Sequence, residues 1–292
     1  MTGHKIEVVI LGTAQDGGIP HAGCSCSNCT AAHNNSKLRR NPVSCGIRGI
    51  DNSFHLIEVG RNIAKQLKIW SETMELEDII IPKTVSITHI HLGHVDGLGQ
   101  FGKEVMDLTD IPLYGSSSSI NTLKRRGLIS PFNCIKVKSK KSFEPSSDCG
   151  FQLEFIKVPH RDEESDTHAI IIHGVEKSLL FLPDHDDWSE TLGYHGCETI
   201  REWFNQLEID YAVIDGTFWD DNELQGRKMT EVPHPTISET IRRLGKRRDD
   251  DVKISFFHLN HTNPVINKYS KENTILTELG WKVSKDGEVF TL

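Results

Sequence analysis

Three histidines lie within six residues of one another, directly after a short strand-like run. They are His89, His91 and His94 in the segment T-H-I-H-L-G-H, and residues 84–87 before them are typical of a buried strand. Because side chains alternate along an extended backbone, the first two point to the same side, and a turn at Gly93 brings the third back toward them. Converging imidazole nitrogens suit a zinc-class metal, so the spacing predicts a metal site rather than a polar loop with incidental histidines.

The composition limits the partners of the chain. The 292 residues carry a formal net charge of -8, with 37% hydrophobic and 25% charged residues, which is typical of an ordinary globular protein. The acidic balance disfavours a nucleic-acid-binding surface, and no run approaches the roughly 18 apolar residues of a membrane span. The N-terminus lacks a signal-peptide pattern, so we expect a cytoplasmic protein. We expect a small-molecule substrate and neither nucleic acid nor membrane as a partner; a homodimer is compatible with the sequence.

Other candidate metal ligands also follow predicted strands. They are His160 after residues 152–159, Asp184 after residues 178–182, and His258 after residues 253–257. Strand ends at one edge of a sheet are where side chains from distant parts of a chain meet. These residues therefore extend the prediction of one metal centre.

Predicted strands and helices alternate along both halves of the chain. This pattern indicates a layered α/β fold in a single domain over residues 1–292. Apolar residues recur at helical spacing over residues 61–74 and predict a helix with one face in the core. A second helix is predicted over residues 98–108.

A separate cluster of cysteines lies near the N-terminus. Cys24, Cys26 and Cys29 form a C-x-C-x-x-C run, and the remaining cysteines are scattered and interpreted as structural fillers. In a reducing compartment such a cluster is typical of a metal site and not of disulfides. Clustered thiols without a metal are exposed to oxidation, which disfavours the alternative of three free thiols.

Three thiolates require a fourth ligand to close a tetrahedral zinc site. His261 is our first candidate, because it lies three residues after His258 and one loop then serves both sites. His21 and His33 are alternatives that lie closer to the cysteines in sequence. We therefore predict one structural zinc ion.

Several motifs together carry a family resemblance. The T-H-x-H-x-x-H run, a later V-P-H, an L-P-D at a strand end and a final strand-end histidine resemble the metallo-β-lactamase superfamily. The C-x-C-x-x-C run with F-L-P-D, I-D-G-T-F-W, E-V-P-H-P and F-H-L-N-H-T-N-P resembles its PqqB-like branch, whose members take part in making pyrroloquinoline quinone (PQQ). The resemblance covers residues 6–292. It implies an αβ/βα sandwich of two mixed sheets with the active site along one edge.

The resemblance also implies a ligand set. One metal would be held by His89, His91 and His160, a second by His94 and His258, and Asp184 would bridge them. Gly93 departs from the family, because two-metal hydrolases usually carry an aspartate there. We therefore expect one zinc, iron or manganese ion, or a second that is weakly held, and we do not expect Asp96 to substitute. In the similar phosphodiesterase PhnP, a C-x-C-x-x-C run and a C-terminal histidine close a structural zinc.

The leading functional hypothesis is a metal-dependent hydrolase, in which metal-activated water attacks a phosphodiester, ester or lactone. Asp184 would orient the attacking water as well as bind metal. His234 would protonate a leaving group, or else be a loop histidine held between prolines. Asp215 and Arg227 are expected to contact the metal ligands or the substrate. Residues 185–187 are expected to form a solvated loop.

Two other functions remain open at this point. A histidine-rich site with one carboxylate also suits Fe(II), and PqqB-like proteins resemble iron-using hydroxylases that act on a tyrosine-derived precursor of PQQ. A non-catalytic binding or carrier protein is the third alternative, because Gly93 weakens the second metal position.

Overall fold

The strands of the chain form two sheets that pack face to face in a computed structural model, which describes residues 4–224 and 231–292. The first sheet contains β1 (Glu7–Gly12), β2 (Ser44–Arg48), β3 (Phe54–Ile57), β4 (Thr84–Ser86), β5 (Ile111–Gly115), β6 (Phe132–Lys136) and β13 (Val289–Thr291), in the order β13-β1-β2-β3-β4-β5-β6. The second contains β7 (Gln152–Val158), β8 (Thr167–His173), β9 (Ser178–Leu182), β10 (Tyr211–Asp215), β11 (Lys253–Phe257) and β12 (Lys282–Val283), in the order β12-β11-β10-β9-β8-β7. This arrangement confirms the predicted α/β sandwich.

Helices cover the outer face of each sheet. In chain order, the helices of the described residues are α1 (Ser27–Asn34), α2 (Ile63–Thr73), α3 (Leu92–Val95), α4 (Ser117–Arg125), α5 (Trp188–His195), α6 (Ile200–Gln206), α7 (Ile237–Leu244) and α8 (Lys271–Glu278). α2 and α4 pack on the first sheet, whereas α5, α6, α7 and α8 pack on the second. Within the described ranges, every helix falls short of the length and apolar character that crossing a membrane requires.

The strands are buried on both faces, because each sheet lies between the other sheet and a helical layer. In β1, Val8 points into the core shared by the two sheets, whereas Val9 points to the helices of the outer layer. In β8, Ile170 likewise points into the core between the sheets, whereas Ile171 points to the helices that cover the second sheet. Side chains alternate along a strand, so near-continuous apolar runs of this kind suit strands that are covered on both faces.

Parallel pairing brings the ligand-bearing strand ends to one edge. β10 pairs in parallel with both β9 and β11, so the ends of these three strands lie side by side. In the first sheet, β3 and β4 are also parallel, and Ile57 is in register with Ser86. β1 pairs with β13, so strands from the two ends of the described chain lie side by side in one sheet.

The two helix predictions had different outcomes. The helix predicted over residues 61–74 is confirmed as α2. The helix predicted over residues 98–108 is wrong, because only Leu98–Phe101 form a short 3-10 turn. Glycine is a poor helix former, and Gly97 packs so closely on the preceding loop that a Cβ atom there would lie 2.2 Å from the Gly60 oxygen.

Candidate metal centres

Six side chains meet at the shared edge of the sheets, and we call this group the histidine centre. It consists of His89, His91, His94, His160, Asp184 and His258. His89 and His91 follow β4, and His94 lies in the short helix α3 that begins just after His91. The others follow β7, β9 and β11, so each comes from the end of a strand, as the sequence predicted.

The first metal position lies among three imidazoles. The ligand atoms of His89, His91 and His160 all lie within 4.8 Å of one another. Nε2 of His89 lies 2.9 Å from Nδ1 of His91, while the Thr88 hydroxyl is bonded to the other ring nitrogen of His89. Asp184 Oδ1 lies 3.6 Å from His160 Nε2. The structure therefore brings together the four side chains assigned to one metal.

The second position lies on the other side of Asp184. Its Oδ2 atom lies 3.2 Å from His94 Nε2 and 3.5 Å from His258 Nε2. Within the described residues, these three buried atoms have no hydrogen-bond partner. Buried polar atoms nearly always have a hydrogen-bond partner, so three such atoms that lack one and lie close together are suitable ligands for a cation. The two oxygens of Asp184 thus face different histidines, as a bridging carboxylate would.

The charges around this centre also favour a cation. Burial lowers the pKa of His91 to about 4 and that of His89 well below its ordinary value, which leaves neutral imidazoles with a free lone pair. At His94 burial opposes the charged form, but the carboxylates of Glu58 and Asp184 raise its pKa well above the ordinary value. Positive charge is therefore favoured between those carboxylates, where the second position lies.

Carboxylates behind two of the imidazoles hold their rings in place. Asp186 Oδ1 lies 3.1 Å from Nδ1 of His160, and Glu58 Oε2 lies 3.5 Å from Nδ1 of His94. In both rings Nε2 is left to face Asp184. Such carboxylate–histidine pairs orient the ring and strengthen its basicity toward a metal.

The backbone is unusual at two of these residues. Glu58 and His258 have φ values of 64° and 56° respectively, in the left-handed region where residues other than glycine are rarely found. Both residues come directly after strands, β3 and β11, and both side chains are buried at the centre. Backbone strain of this kind concentrates at functional sites, which is consistent with a role for this edge.

His234 and Asp215 form a hydrogen-bonded pair beside the centre. Nδ1 of His234 donates to Asp215 Oδ2 at 2.7 Å, and Asp215 also accepts from the Thr217 hydroxyl, which lies 2.9 Å from Nδ1 of His258. Burial opposes the charged form of His234, but the Asp215 carboxylate raises its pKa above the ordinary value. Asp215 is fully buried behind the imidazoles and reaches His258 through Thr217. Its position fits the first of its two predicted roles, contact with the metal ligands, and substrate contact stays a prediction. Arg227 lies outside the described residues.

The expected solvated loop at residues 185–187 is also wrong. His185 is fully buried and bonds the Thr191 hydroxyl at 2.9 Å. Asp186 holds His160, and Asp187 caps α5 by accepting from the Glu190 amide. The sequence pattern H-D-D is polar, but its position after β9 turns these side chains toward the centre and the adjacent helix.

Two carboxylates near the centre were missed in the sequence. Glu58 comes directly after β3, and Asp16 lies in the loop after β1, with Oδ1 3.9 Å from His94 Nε2. The signal that identified the histidines, a ligand-type residue after a predicted strand, was present for both.

The second candidate site, which we call the cysteine centre, consists of Cys24, Cys26, Cys29 and His261. Their ligand atoms all lie within 4.8 Å of one another. Nδ1 of His261 lies 3.3 Å from Cys24 Sγ and 3.6 Å from Cys26 Sγ. Three sulfurs and one imidazole nitrogen match the closed donor set of a structural zinc site.

The neighbourhood of the cysteine centre favours His261 among the three candidate histidines. His21 stacks on the His261 ring with 4.4 Å between centroids and donates its backbone N–H to Cys29 Sγ, while His33 is exposed. Burial, together with the neighbouring thiols, raises the pKa of Cys29 to about 12. A thiolate at this position therefore requires a compensating cation such as zinc.

A cavity of about 830 Å³ adjoins the cysteine centre, where Cys26 and His261 line it. It extends to Asp16, which lies next to the histidine centre. Phe218 and Trp219 supply aromatic surface, and Glu223 accepts from the Thr262 hydroxyl at 2.6 Å. The volume is in the range of small-molecule sites.

Comparisons with known proteins agree with this geometry. The family model described as "Beta-lactamase superfamily domain" matches residues 56–254. Coenzyme PQQ synthesis protein B of Acinetobacter baumannii (strain ACICU) is 26% identical to this chain, and the match covers 97% of this chain and 98% of the relative. The protein of the same name from Ruegeria pomeroyi is 23% identical, and that match also covers 97% of this chain and 98% of the relative. The crystal structure of Zn(2+)-bound PqqB from Methylobacterium extorquens matches with a TM-score of 0.77 at 21% identity, over 98% of this chain and 100% of that one. A diphosphatase from the PhnP family matches with a TM-score of 0.67 at 17% identity, over 99% and 98%.

Proposed function

The chain belongs to the β-lactamase superfamily, and we propose that it is a metal-dependent hydrolase of a small organic substrate. The observation that carries this proposal is the division of Asp184, whose two oxygens face two separate sets of histidines, while buried nitrogens beside it lack hydrogen-bond partners within the described residues. That arrangement suits an enzyme centre better than a carrier site, because two metal positions side by side are typical of hydrolytic metal centres.

The ligands are assigned from the geometry. His89, His91 and His160 would hold one ion, His94 and His258 would hold the second, and Asp184 would contact both. A bound zinc-class ion would act as a Lewis acid and bring the pKa of a water molecule toward neutrality. The cysteine centre would hold one structural zinc ion.

The residues of the chain itself supply the remaining functions. Asp184 has oxygens on both sides and can accept a hydrogen bond from an attacking water while it holds the ligands in register. His234 is fixed by Asp215 through Nδ1, so its other nitrogen can hold the proton that a leaving group requires. Its ring lies between those of His160 and His258, at centroid distances of 5.2 and 5.8 Å.

The proposed substrate class is supported by the superfamily and by the size of the cavity that reaches Asp16. A cavity of this size takes a small molecule, and we propose one with a phosphodiester, ester or lactone bond. The curated relatives are named for the synthesis of coenzyme PQQ, which supports a role for this chain in making that cofactor.

The test is hydrolysis by the metal-loaded protein. We expect the zinc-loaded chain to hydrolyse bis(p-nitrophenyl) phosphate or a member of a lactone panel, and the chelator-treated protein to lose this activity. Replacing His234 by glutamine should lower kcat by about 10²-fold or more with little change in KM, since a general acid acts in the transition state.

The metal content decides between hydrolysis and oxidation. Elemental analysis after anaerobic purification should find more than one zinc ion per chain, that is, zinc beyond the one ion assigned to the cysteine centre, and no iron. Bound iron, with dioxygen consumption on addition of a tyrosine-derived precursor and no hydrolysis, would contradict the hydrolase proposal.

A further inference from the structure

We propose that Asp16 supplies the carboxylate of the second metal position, in the space that a side chain at position 93 would otherwise fill. This inference rests on the two-metal centre of the proposed function but not on the reaction. It changes the expectation drawn from Gly93, because the anionic ligand then comes from a different part of the chain.

The space at position 93 is already taken by Asp16. A Cβ atom built on Gly93 would lie 2.0 Å from Asp16 Oδ1, 2.6 Å from its Cγ and 2.5 Å from its Cα. Contacts this short are sterically forbidden, so a side chain at 93 and the present loop exclude each other. Glycine at this position is therefore what lets the Asp16 carboxylate approach the centre.

Asp16 lies within reach of an ion at the second position. Its Oδ1 atom is 3.9 Å from His94 Nε2, and the ligand atoms of Asp16, His94 and His258 all lie within 4.8 Å of one another. Two donors at about 2.0–2.2 Å from one zinc ion lie at most about 4.4 Å apart, so this oxygen and His94 can share an ion. With Asp184 Oδ2, the position has two imidazoles and two carboxylates.

The loop that carries Asp16 is tied to the loop that carries His258. Gln15 donates its amide to the Leu259 oxygen at 2.9 Å, and Leu259 donates to the Thr13 oxygen at 2.9 Å. On the other side, Ala14 donates to the Asn41 oxygen at 2.9 Å. The backbone on the N-terminal side of Asp16 is therefore fixed beside the residue that follows His258.

Asp96 is the rival carboxylate, since it lies two residues after His94. Its Oδ2 atom is 2.7 Å from a guanidinium nitrogen of Arg61 and is already paired with a cation. The pKa of Asp96 is raised by burial, which disfavours its charged form, although Arg61 opposes that effect. Asp96 therefore provides the matched control for Asp16.

The test measures zinc binding by the full chain, without reference to its activity. Asp16→Asn keeps the size and shape of the side chain and removes its charge. Gly93→Ala leaves Asp16 intact but forces the loop away from the centre. Asp96→Asn is the control. Each protein is equilibrated over a range of buffered free zinc concentrations and analysed for zinc per chain, and its melting temperature is measured in excess chelator to verify folding.

We expect Asp16→Asn to weaken the most weakly bound zinc ion by at least about tenfold, leaving the others unchanged, because losing a direct ligand costs no less than losing an outer-shell partner. Gly93→Ala should have the same effect, and Asp96→Asn none. The inference is overturned if Asp16→Asn binds zinc as tightly as the parent, or if Asp96→Asn selectively loses affinity for the most weakly bound zinc ion. It is also overturned if the parent protein never takes up a second zinc ion at the histidine centre. Failure of the hydrolase proposal would leave these zinc titrations unchanged, so the two failures are distinguishable.

Discussion

The histidine centre and the cysteine centre are both sets of metal-ligating side chains, but they are built in opposite ways. The histidine centre collects ligands from the ends of β4, β7, β9 and β11, and carboxylates behind its rings hold them in place. The cysteine centre uses one N-terminal run and a single histidine from a C-terminal loop. The histidine centre has six ligand side chains around two adjacent positions, whereas the cysteine centre has four around one.

The contrast predicts different consequences when each centre is damaged. A centre whose ligands come from rigid strand ends is held by the fold, so its loss affects chemistry before stability. A closed centre that joins two loops contributes folding free energy, because the metal binds the folded chain and not the unfolded one.

Removing a ligand of the first metal position should abolish activity and leave the fold intact. We expect His89→Ala and His160→Ala to lower kcat/KM by about 10³-fold or more, because the metal supplies several kcal/mol of transition-state stabilisation. Hydrolysis assays measure the loss of activity, zinc analysis measures the loss of metal, and thermal melts show whether the fold is intact. His33→Ala, at an exposed histidine of α1, is the control. A variant that keeps its full zinc content would contradict the assignment.

Removing a ligand of the cysteine centre should instead lower stability. If zinc is present at about 1,000 times its Kd, Cys26→Ala loses about 4 kcal/mol, which corresponds to a fall in Tm of roughly 8 to 16 °C for a chain of this size. Differential scanning calorimetry in buffered zinc measures the shift. Cys134→Ala, at a half-buried cysteine of β6, should shift Tm far less. Equal melting temperatures for Cys26→Ala and the parent would refute the structural-zinc assignment.

Removing a carboxylate that orients a ligand should have a smaller effect. Asp186→Asn removes the negative charge from the hydrogen-bond partner of His160 Nδ1. We expect zinc affinity at the first metal position to fall by about 10- to 100-fold. Competition with a chelating dye measures it. Asp187→Asn is the control one residue further on, because asparagine replaces aspartate at a helix N-cap at little cost. Similar losses in both variants would mean that local charge, and not ring orientation, is responsible.

The smallest effect should come from coupling between the centres. Residues 16–29 and 258–261 contribute to both, so loss of the cysteine-centre zinc should loosen Asp16 and His258. We expect Cys26→Ala to weaken the second zinc of the histidine centre by about three- to tenfold and to leave the first unchanged. Zinc titration of that variant measures both affinities. An equal loss at both positions would indicate general destabilisation instead.

Much of the histidine centre is readable from sequence because strand ends are easy to recognise. Six residues were predicted as metal ligands from their residue type and from their position after a β-branched or apolar run, and the structure brings them together. They are His89, His91, His94, His160, Asp184 and His258. The α/β sandwich follows from the same alternation of strands and helices. The helix expected over residues 98–108 did not form: it contains Gly99 and Gly102, and Gly97 just before it packs on the neighbouring loop, a contact that no local pattern reports.

The amino-acid sequence by itself determined which chemical groups this chain offers to a metal and at which strand ends they lie, since side-chain periodicity is a local property. Tertiary structure alone decided which groups share an ion. Three histidines were candidates to close the cysteine centre, and only the packing of the C-terminal loop favours His261. Asp16 and Gly93 lie far apart in the chain. Only the packing of two loops shows that the Asp16 carboxylate occupies the space that a side chain at position 93 would need. Contacts of this kind depend on how sheets and loops pack against each other.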